Sequence, residues 1–189
     1  MSAEGITFDF YTYGTTKAGC VVGRQYQDVQ TGKWFRFCQA HTTLVGTALV
    51  AGNSATSAND PVVQVGTATY GLATDDVSAG LDATHPFFLG IPTSACPVST
   101  ATITYYFWAQ TKGQFHTTLT GTTYGSITMN ADDDAAIGHT VIMTANDAAC
   151  DTVATGTAGY TQKAVGQVLV AVVAATNLVP GVLVNCQNP

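Results

Sequence analysis

The sequence is poor in charged residues. Only 10% of its 189 residues are charged, whereas soluble domains usually carry about 25%. The six Lys and Arg residues are scattered and the net charge is −6, so we expect no direct binding to nucleic acid, which needs clustered positive charge. A surface with so few charges is often covered by neighbouring molecules, which favours a homo-oligomer or a larger assembly.

Signals for export and for membrane insertion are also lacking. Glu4 stands where a secretory leader would be basic, and no apolar stretch follows it, so we expect no export through the secretory route. The most apolar stretch, 164–184, is interrupted by Gly, Gln, Asn and Pro. It predicts two buried valine-rich strands joined by a turn at 177–181, and no membrane span.

The cysteines do not have the spacing of a metal site. No C-x-x-C pair occurs and no histidine lies close enough to complete a zinc-binding set. An odd number of cysteines without an export signal predicts buried reduced thiols, with a single disulfide, within or between subunits, as the alternative. The five residues concerned are Cys20, Cys38, Cys96, Cys150 and Cys186.

No catalytic signature accompanies the histidines and aspartates. The chain has no nucleophile elbow, H-E-x-x-H motif, phosphate-binding loop or dinucleotide fingerprint. The run Asp132-Asp133-Asp134 lacks the spacers of a calcium loop, and it predicts a solvated acidic loop or a short helix over 131–138. We therefore expect no enzyme activity, no cofactor and no bound metal. A hydrolase with a noncontiguous site, drawing on His41, His85, His116 or His139, is the alternative.

What the sequence does contain is β-strand patterning. Residues 33–39 alternate between polar and apolar after Thr31-Gly32, and they predict a hairpin over 23–40. Residues 102–110 predict an aromatic strand, with a turn at Lys112-Gly113 and a continuation over 114–118. In such a strand Tyr105 and Phe107 face one side and their neighbours the other, so one pair should be core rather than a carbohydrate platform.

Further short segments complete an all-β pattern. Segment 87–91 lies between prolines and predicts an edge strand or a packed loop. The fold class is therefore all-β, a β-sandwich or small β-barrel with short strands, an extended N-terminal segment and little helix. The other predicted strands lie at 42–50, 62–70, 140–144, 165–173 and 179–185.

Three regions follow from these patterns. Residues 1–22 are an N-terminal arm or a first strand, 23–100 a first β region and 101–189 a C-terminal sandwich or barrel region, with one continuous domain as the alternative. Aromatics in an arm could dock on a neighbouring subunit, or they could close the chain's own sheet. Our candidate interface residues, whose alternative role is in the core, are Phe8, Phe10, Tyr11, Tyr13, Trp34 and Phe35.

Several of these segments resemble the head decoration, or cement, proteins of tailed phages. The strand YYFWAQTKG at 105–113, the acidic loop at 131–134, AVGQVLVA at 164–171 and PGVLV at 180–184 occur in the order seen in such proteins. KWFRFCQA at 33–40 is similar to another of their strands. The first hundred residues are longer than a minimal member needs, and the cysteines do not belong to the pattern.

The resemblance implies a structural role on the virion. Such proteins bind the outer surface of the head, usually as trimers at threefold or quasi-threefold positions, and stabilise contacts between major capsid protein subunits after assembly in the host cytoplasm. The alternative is a surface-recognition module on a virion, either an adhesin or a carbohydrate-binding domain.

Overall fold

The described residues form β-strands, turns and irregular segments. The computed structural model describes residues 8–41, 54–56, 62–74, 87–94, 96–115, 126–128, 136–143, 150–153, 164–169, 171, 178–180 and 182–185, and these contain no helix. The all-β prediction is confirmed. In chain order the strands are β1 (Gln25–Gln27), β2 (Trp34–Ala40), β3 (Ser54–Thr56), β4 (Val62–Gln64), β5 (Leu72–Thr74), β6 (Phe88–Pro92), β7 (Cys96–Pro97), β8 (Tyr106–Gln114), β9 (Ser126–Thr128), β10 (Thr140–Met143), β11 (Cys150–Val153), β12 (Ala164–Val168), β13 (Leu178–Pro180) and β14 (Val182–Asn185).

A small closed barrel lies at the centre. Strands β2, β5, β4, β6 and β8 are hydrogen-bonded in that order, and β8 pairs back with β2 to close the ring. The β2–β5 pair is parallel and the other four pairs are antiparallel. Closure leaves these five strands without open edges, so the barrel forms a self-contained scaffold.

The sheet continues outward from β8 into the C-terminal strands. β14 pairs with β8, and β12, β10 and β11 follow in that order, while β1 extends the sheet beyond β2. Two small two-stranded sheets, β13–β9 and β3–β7, complete the described strands. Strands from regions 23–100 and 101–189 therefore belong to the same sheet.

Alternation along β2 and β8 divides their side chains between two apolar clusters. The barrel-interior cluster lies inside the ring, and its buried members are Cys38, Ala40, Val62, Ala73, Leu89, Cys96, Phe107 and Ala109. The outer aromatic cluster covers the opposite faces of β2 and β8, with Phe10, Cys20, Phe35, Phe37, Tyr106 and Trp108 buried in it. Both faces of β8 are thus buried, whereas the sequence predicted one.

A third apolar cluster holds the C-terminal strands against the barrel. All but one of its valines come from β10, β12 and β14, and they pack against side chains of β4, β6 and the residue after β8. Its members are Val63, Phe88, Ile91, Phe115, Val141, Val165, Val168, Val182 and Val184. The predicted strands at 140–144, 165–173 and 179–185 are confirmed in part by β10, β12 and β14. The turn predicted at 177–181 is wrong, because Leu178–Pro180 form strand β13, which pairs with β9.

The hairpin predicted over 23–40 is confirmed. β1 and β2 pair antiparallel, with Tyr26 opposite Phe35. The Gly32 N–H donates to the Asp28 carbonyl at 2.8 Å, and Gly32 has a φ of 72°. That left-handed conformation suits glycine, which explains why the turn could be located from sequence.

The predicted turn at Lys112-Gly113 is wrong. β8 runs unbroken from Tyr106 to Gln114, while residues 101–105 are not in a strand. Gly113 lies within β8 with a φ of 98°. The side-chain amide of the buried Gln110 donates to the carbonyls of Gly113 and Gln114 at 2.9 and 3.0 Å. The glycine therefore bends the strand without ending it, because the side chain satisfies carbonyls that the irregularity exposes.

The predicted edge strand or loop at 87–91 is also wrong. β6 lies between β4 and β8, and all five of its residues are buried. Its prolines flank the strand or end it, so they remove no central ladder bond. The predicted strand at 42–50, His85, His116, Cys186 and most of the acidic segment 131–138 lie outside the described residues.

Candidate interaction surfaces

The described part of the N-terminal region, residues 8–22, packs on the barrel of its own chain. Gly14 and Tyr106 form an antiparallel bridge whose two N–H···O bonds are 2.9 and 2.8 Å long. The Thr93 hydroxyl donates to the Phe10 carbonyl. Residues 8–22 form no strand, and the isolated bridge at Gly14 joins them to the edge of β8.

Two of the six candidate interface residues are core residues. Phe10 stacks on Phe35 with ring centroids 4.5 Å apart and an interplanar angle of 16°. Phe10 also meets Trp108 edge to face at 4.8 Å. Both phenylalanines are buried, so their rings pack within this chain and are not accessible to a partner.

Three further candidates are half-buried. The Phe8 ring lies 5.6 Å from Trp108 and 5.3 Å from Tyr26. The carbonyl of Trp34 accepts a bond from the Thr111 hydroxyl at 3.2 Å. Phe8 and Trp34 are each half-buried, so part of each side chain stays accessible.

Tyr11, the third of the half-buried residues, meets Phe35 edge to face at 5.9 Å. Burial raises the pKa of its hydroxyl, and the nearby carboxylates of Asp28 and Asp9 raise it further. Burial likewise lowers the pKa of Lys33, which Asp28 partly counteracts. Tyr11 therefore stays neutral at physiological pH and serves the aromatic packing.

Tyr13 is the exposed member of the six. Its side chain is 48% exposed and lies 6.0 Å from the Tyr105 ring, at an interplanar angle of 65°. Of the predicted interface residues, it presents the most open aromatic surface to a partner.

Sequence reasoning missed a second surface, on the outer side of β12 and β14. Gln114, Leu183, Gln167 and Thr140 lie opposite one another across β8, β14, β12 and β10. Leu183 and Leu169 are each 38% exposed. We call this surface the uncharged face, and it comprises Gln114, Thr140, Gln167, Leu169, Leu183 and Asn185.

The alternation of buried and exposed residues along β12 and β14 produces the uncharged face. On β14, Val182 and Val184 are buried while Leu183 and Asn185 are exposed. On β12 the pairing skips Val165, since Val141 is opposite Gly166 and Ile142 is opposite Ala164. This bulge bends the strand and increases its local twist. The alternation Val-Leu-Val-Asn was visible in the sequence, but the neighbouring rows were not, because they depend on register.

The described histidines do not belong to a metal-binding cluster. No three His, Cys, Asp or Glu side chains among the described residues group closely enough to hold a metal ion. His41 follows β2, and its backbone bonds to Ala73 and Ser99. His139 lies in the turn before β10, where its N–H donates to the Ala136 carbonyl at 3.0 Å.

The thiols are buried in the apolar clusters. Cys20, Cys38 and Cys96 are all buried. Burial raises the pKa of Cys96 to about 12, and the neighbouring Cys38 adds to the rise. A thiol with such a pKa holds almost no thiolate at neutral pH, so Cys96 is a packing residue rather than a nucleophile.

In the part of the chain that the structure covers, no helix is long and apolar enough to cross a membrane. In comparisons with known proteins, no family model matches the chain, and no curated protein or solved structure is significantly similar to it.

Proposed function

We propose that this chain is a decoration, or cement, protein of a tailed-phage head. In this role it binds the outer surface of the capsid as a trimer, contacts the major capsid protein and carries out no catalysis. The proposal rests on the resemblance of its strand segments to such proteins and on its low charge. The observation that carries it furthest is the uncharged face on the C-terminal strands.

The uncharged face has the chemistry of a protein contact. Leu183 and Leu169 offer apolar area, while Gln167 and Asn185 can exchange hydrogen bonds with a partner's backbone. Interfaces of this kind bury little charge, so they avoid the cost of desolvating ions. Lys112, opposite Asn185, is a charged residue at the margin of this face.

A clamp of this type stabilises a shell by mass action. If the protein binds the expanded lattice better than the unexpanded one, binding shifts the equilibrium towards the expanded lattice. Symmetry around a threefold axis repeats one modest contact three times, which raises the avidity of each trimer. An uncharged contact of this kind also keeps its strength at high salt.

The test uses expanded, undecorated heads assembled from the major capsid protein of the same genome. We expect saturable co-sedimentation of the purified protein with the heads and an increase in the temperature at which they break open. Sedimentation equilibrium measures the predicted trimer. A protein that ignores the heads would refute the proposal.

Leu183→Glu tests the uncharged face directly. It removes apolar contact area and buries a carboxylate, so we expect binding to heads to weaken by about a hundredfold or more. Val29→Glu is the matched control, because Val29 is 85% exposed in the β1–β2 turn and lies outside the uncharged face. Equal binding by both variants would show that the heads bind elsewhere, and circular dichroism verifies that both variants are folded.

A further inference from the structure

Tyr13, which is exposed, and Tyr105, which is half-buried, form an aromatic corner at one mouth of the barrel. The bridge between Gly14 and Tyr106 places the two tyrosines on a cross-strand diagonal. The centroids of their rings are 6.0 Å apart and the planes meet at 65°. Tyr105 also packs against the barrel-interior cluster, so the corner closes the end of the barrel where β2 ends and β8 begins.

Hydrogen bonds fix the backbone on both sides of this corner. Gly14 and Tyr106 exchange two bonds, and the Ala40 N–H donates to the Tyr105 carbonyl at 2.9 Å. The Tyr105 N–H donates to the Ser99 hydroxyl, also at 2.9 Å. A ligand that stacks here would meet rings that are already positioned, which lowers the entropy cost of binding.

The loop that leads into Tyr105 carries the exposed hydroxyl groups of Thr100 and Thr102, which we call the hydroxyl rim. Their hydroxyl oxygens lie 3.3 Å apart. The Thr100 hydroxyl also accepts the Ile103 N–H at 3.0 Å, which shapes the loop. Ile103 is 43% exposed and adds apolar surface.

Charged side chains are absent from the two segments that build the corner. Residues 10–16 and 98–106 contain no Asp, Glu, Lys or Arg. Lys17, the next residue along, lies over the Tyr106 ring with its Nζ 5.8 Å from the centroid. Tyr106 belongs to the outer aromatic cluster, on the opposite side of β8 from Tyr105. These two segments therefore offer no charged side chain that could pair with a charged ligand.

We propose that Tyr13 and Tyr105 form a binding site for a neutral saccharide. The C–H face of a sugar ring stacks on an aromatic ring, while its hydroxyls bond to hydroxyl groups at the rim. Aromatic surface, fixed geometry, a hydroxyl rim and a lack of charge together match that chemistry. Barrel mouths are frequent ligand sites. The inference goes beyond capsid decoration and does not depend on it.

The test is saturation-transfer NMR on the full chain with neutral sugars as probes. The probes are the methyl glycosides of glucose, galactose, mannose and N-acetylglucosamine, together with oligosaccharides of each. We expect saturable binding of at least one probe, and about tenfold weaker binding by Tyr13→Ala, because one stacking face is lost. Tyr13→Phe keeps the ring and should bind within about threefold of the native protein.

Tyr70→Ala is the matched control, because Tyr70 is also exposed and also meets another aromatic ring, that of Phe87 at 5.9 Å. It should bind the sugar as the native protein does. Three results would overturn the proposal. These are no saturation transfer to any probe, equal binding by Tyr13→Ala and native protein, and selective binding of a proline-rich peptide, which also stacks on tyrosines. None of these results bears on head binding, so the two proposals fail separately.

Discussion

Truncation of Phe10 tests whether the N-terminal region is part of the folded chain or an arm for a neighbour. Phe10 is 7% exposed, stacked on Phe35 at 4.5 Å and set against Trp108 at 4.8 Å. Phe→Ala in a core costs about 3–5 kcal/mol. Residues 8–22 can shift to fill part of the cavity, so we expect Phe10→Ala to lower the free energy of unfolding by about 3 kcal/mol.

The measurement is urea unfolding of the isolated protein, followed by tryptophan fluorescence. Trp108 reports on the altered site because its ring contacts Phe10. A loss of about 3 kcal/mol in a domain of this size corresponds to a fall in melting temperature of roughly 6–12 °C. Phe10→Leu keeps most of the volume and should cost less than about 1.5 kcal/mol.

A docked arm from another subunit would give a different result. Phe10→Ala would then leave the stability of the isolated chain almost unchanged, and it would weaken assembly instead. A loss below about 1 kcal/mol, in a protein where Phe35→Ala costs the usual 3–5 kcal/mol, would refute the packing argument.

Two further predictions concern the C-terminal sheet and the barrel interior. A Cβ at Gly166 would overlap the carbonyl oxygen of Leu183. Gly166→Ala should therefore lower the free energy of unfolding by about 1–3 kcal/mol, measured in urea. An unchanged urea midpoint would contradict the close approach of β12 and β14. The pKa of Cys96 is about 12 in the folded chain against 9.0 for an ordinary thiol. Stability from the neutral thiol is therefore complete below pH 9 and is lost as the pH rises towards 12. Unfolding between pH 8 and pH 11 should show a smaller fall in stability for Cys96→Ala than for the native chain, and equal falls would contradict the assignment.

Local patterns were sufficient to predict some elements but not their neighbours. The hairpin over 23–40 could be predicted because Thr31-Gly32 and the alternation beside it act within a few residues. Lys112-Gly113 carries the same turn signal, yet β8 continues through it. There the ladders with β2 and β14 and the side-chain bonds of Gln110 outweigh the local preference.

The candidate surfaces were also predictable from sequence only in part. Aromatic residues in 8–13 were identified from composition and alternation, but whether each ring faces solvent depends on what lies above it. Phe10 is covered by Phe35 and Trp108, whereas Tyr13 has a ring on one side and solvent on the other. The uncharged face could not be assembled from sequence at all, because its residues come from four strands.

The amino-acid sequence alone was enough to predict the all-β class, the first hairpin, the valine-rich C-terminal strands and the low charge. These properties follow from composition and from side-chain periodicity along single strands, which need no distant partner. The tertiary structure decided the closure of the barrel, the burial of both faces of β8 and the meeting of Tyr13 with Tyr105. Each of these depends on pairing between residues far apart in the chain, and many pairings are compatible with the same local pattern.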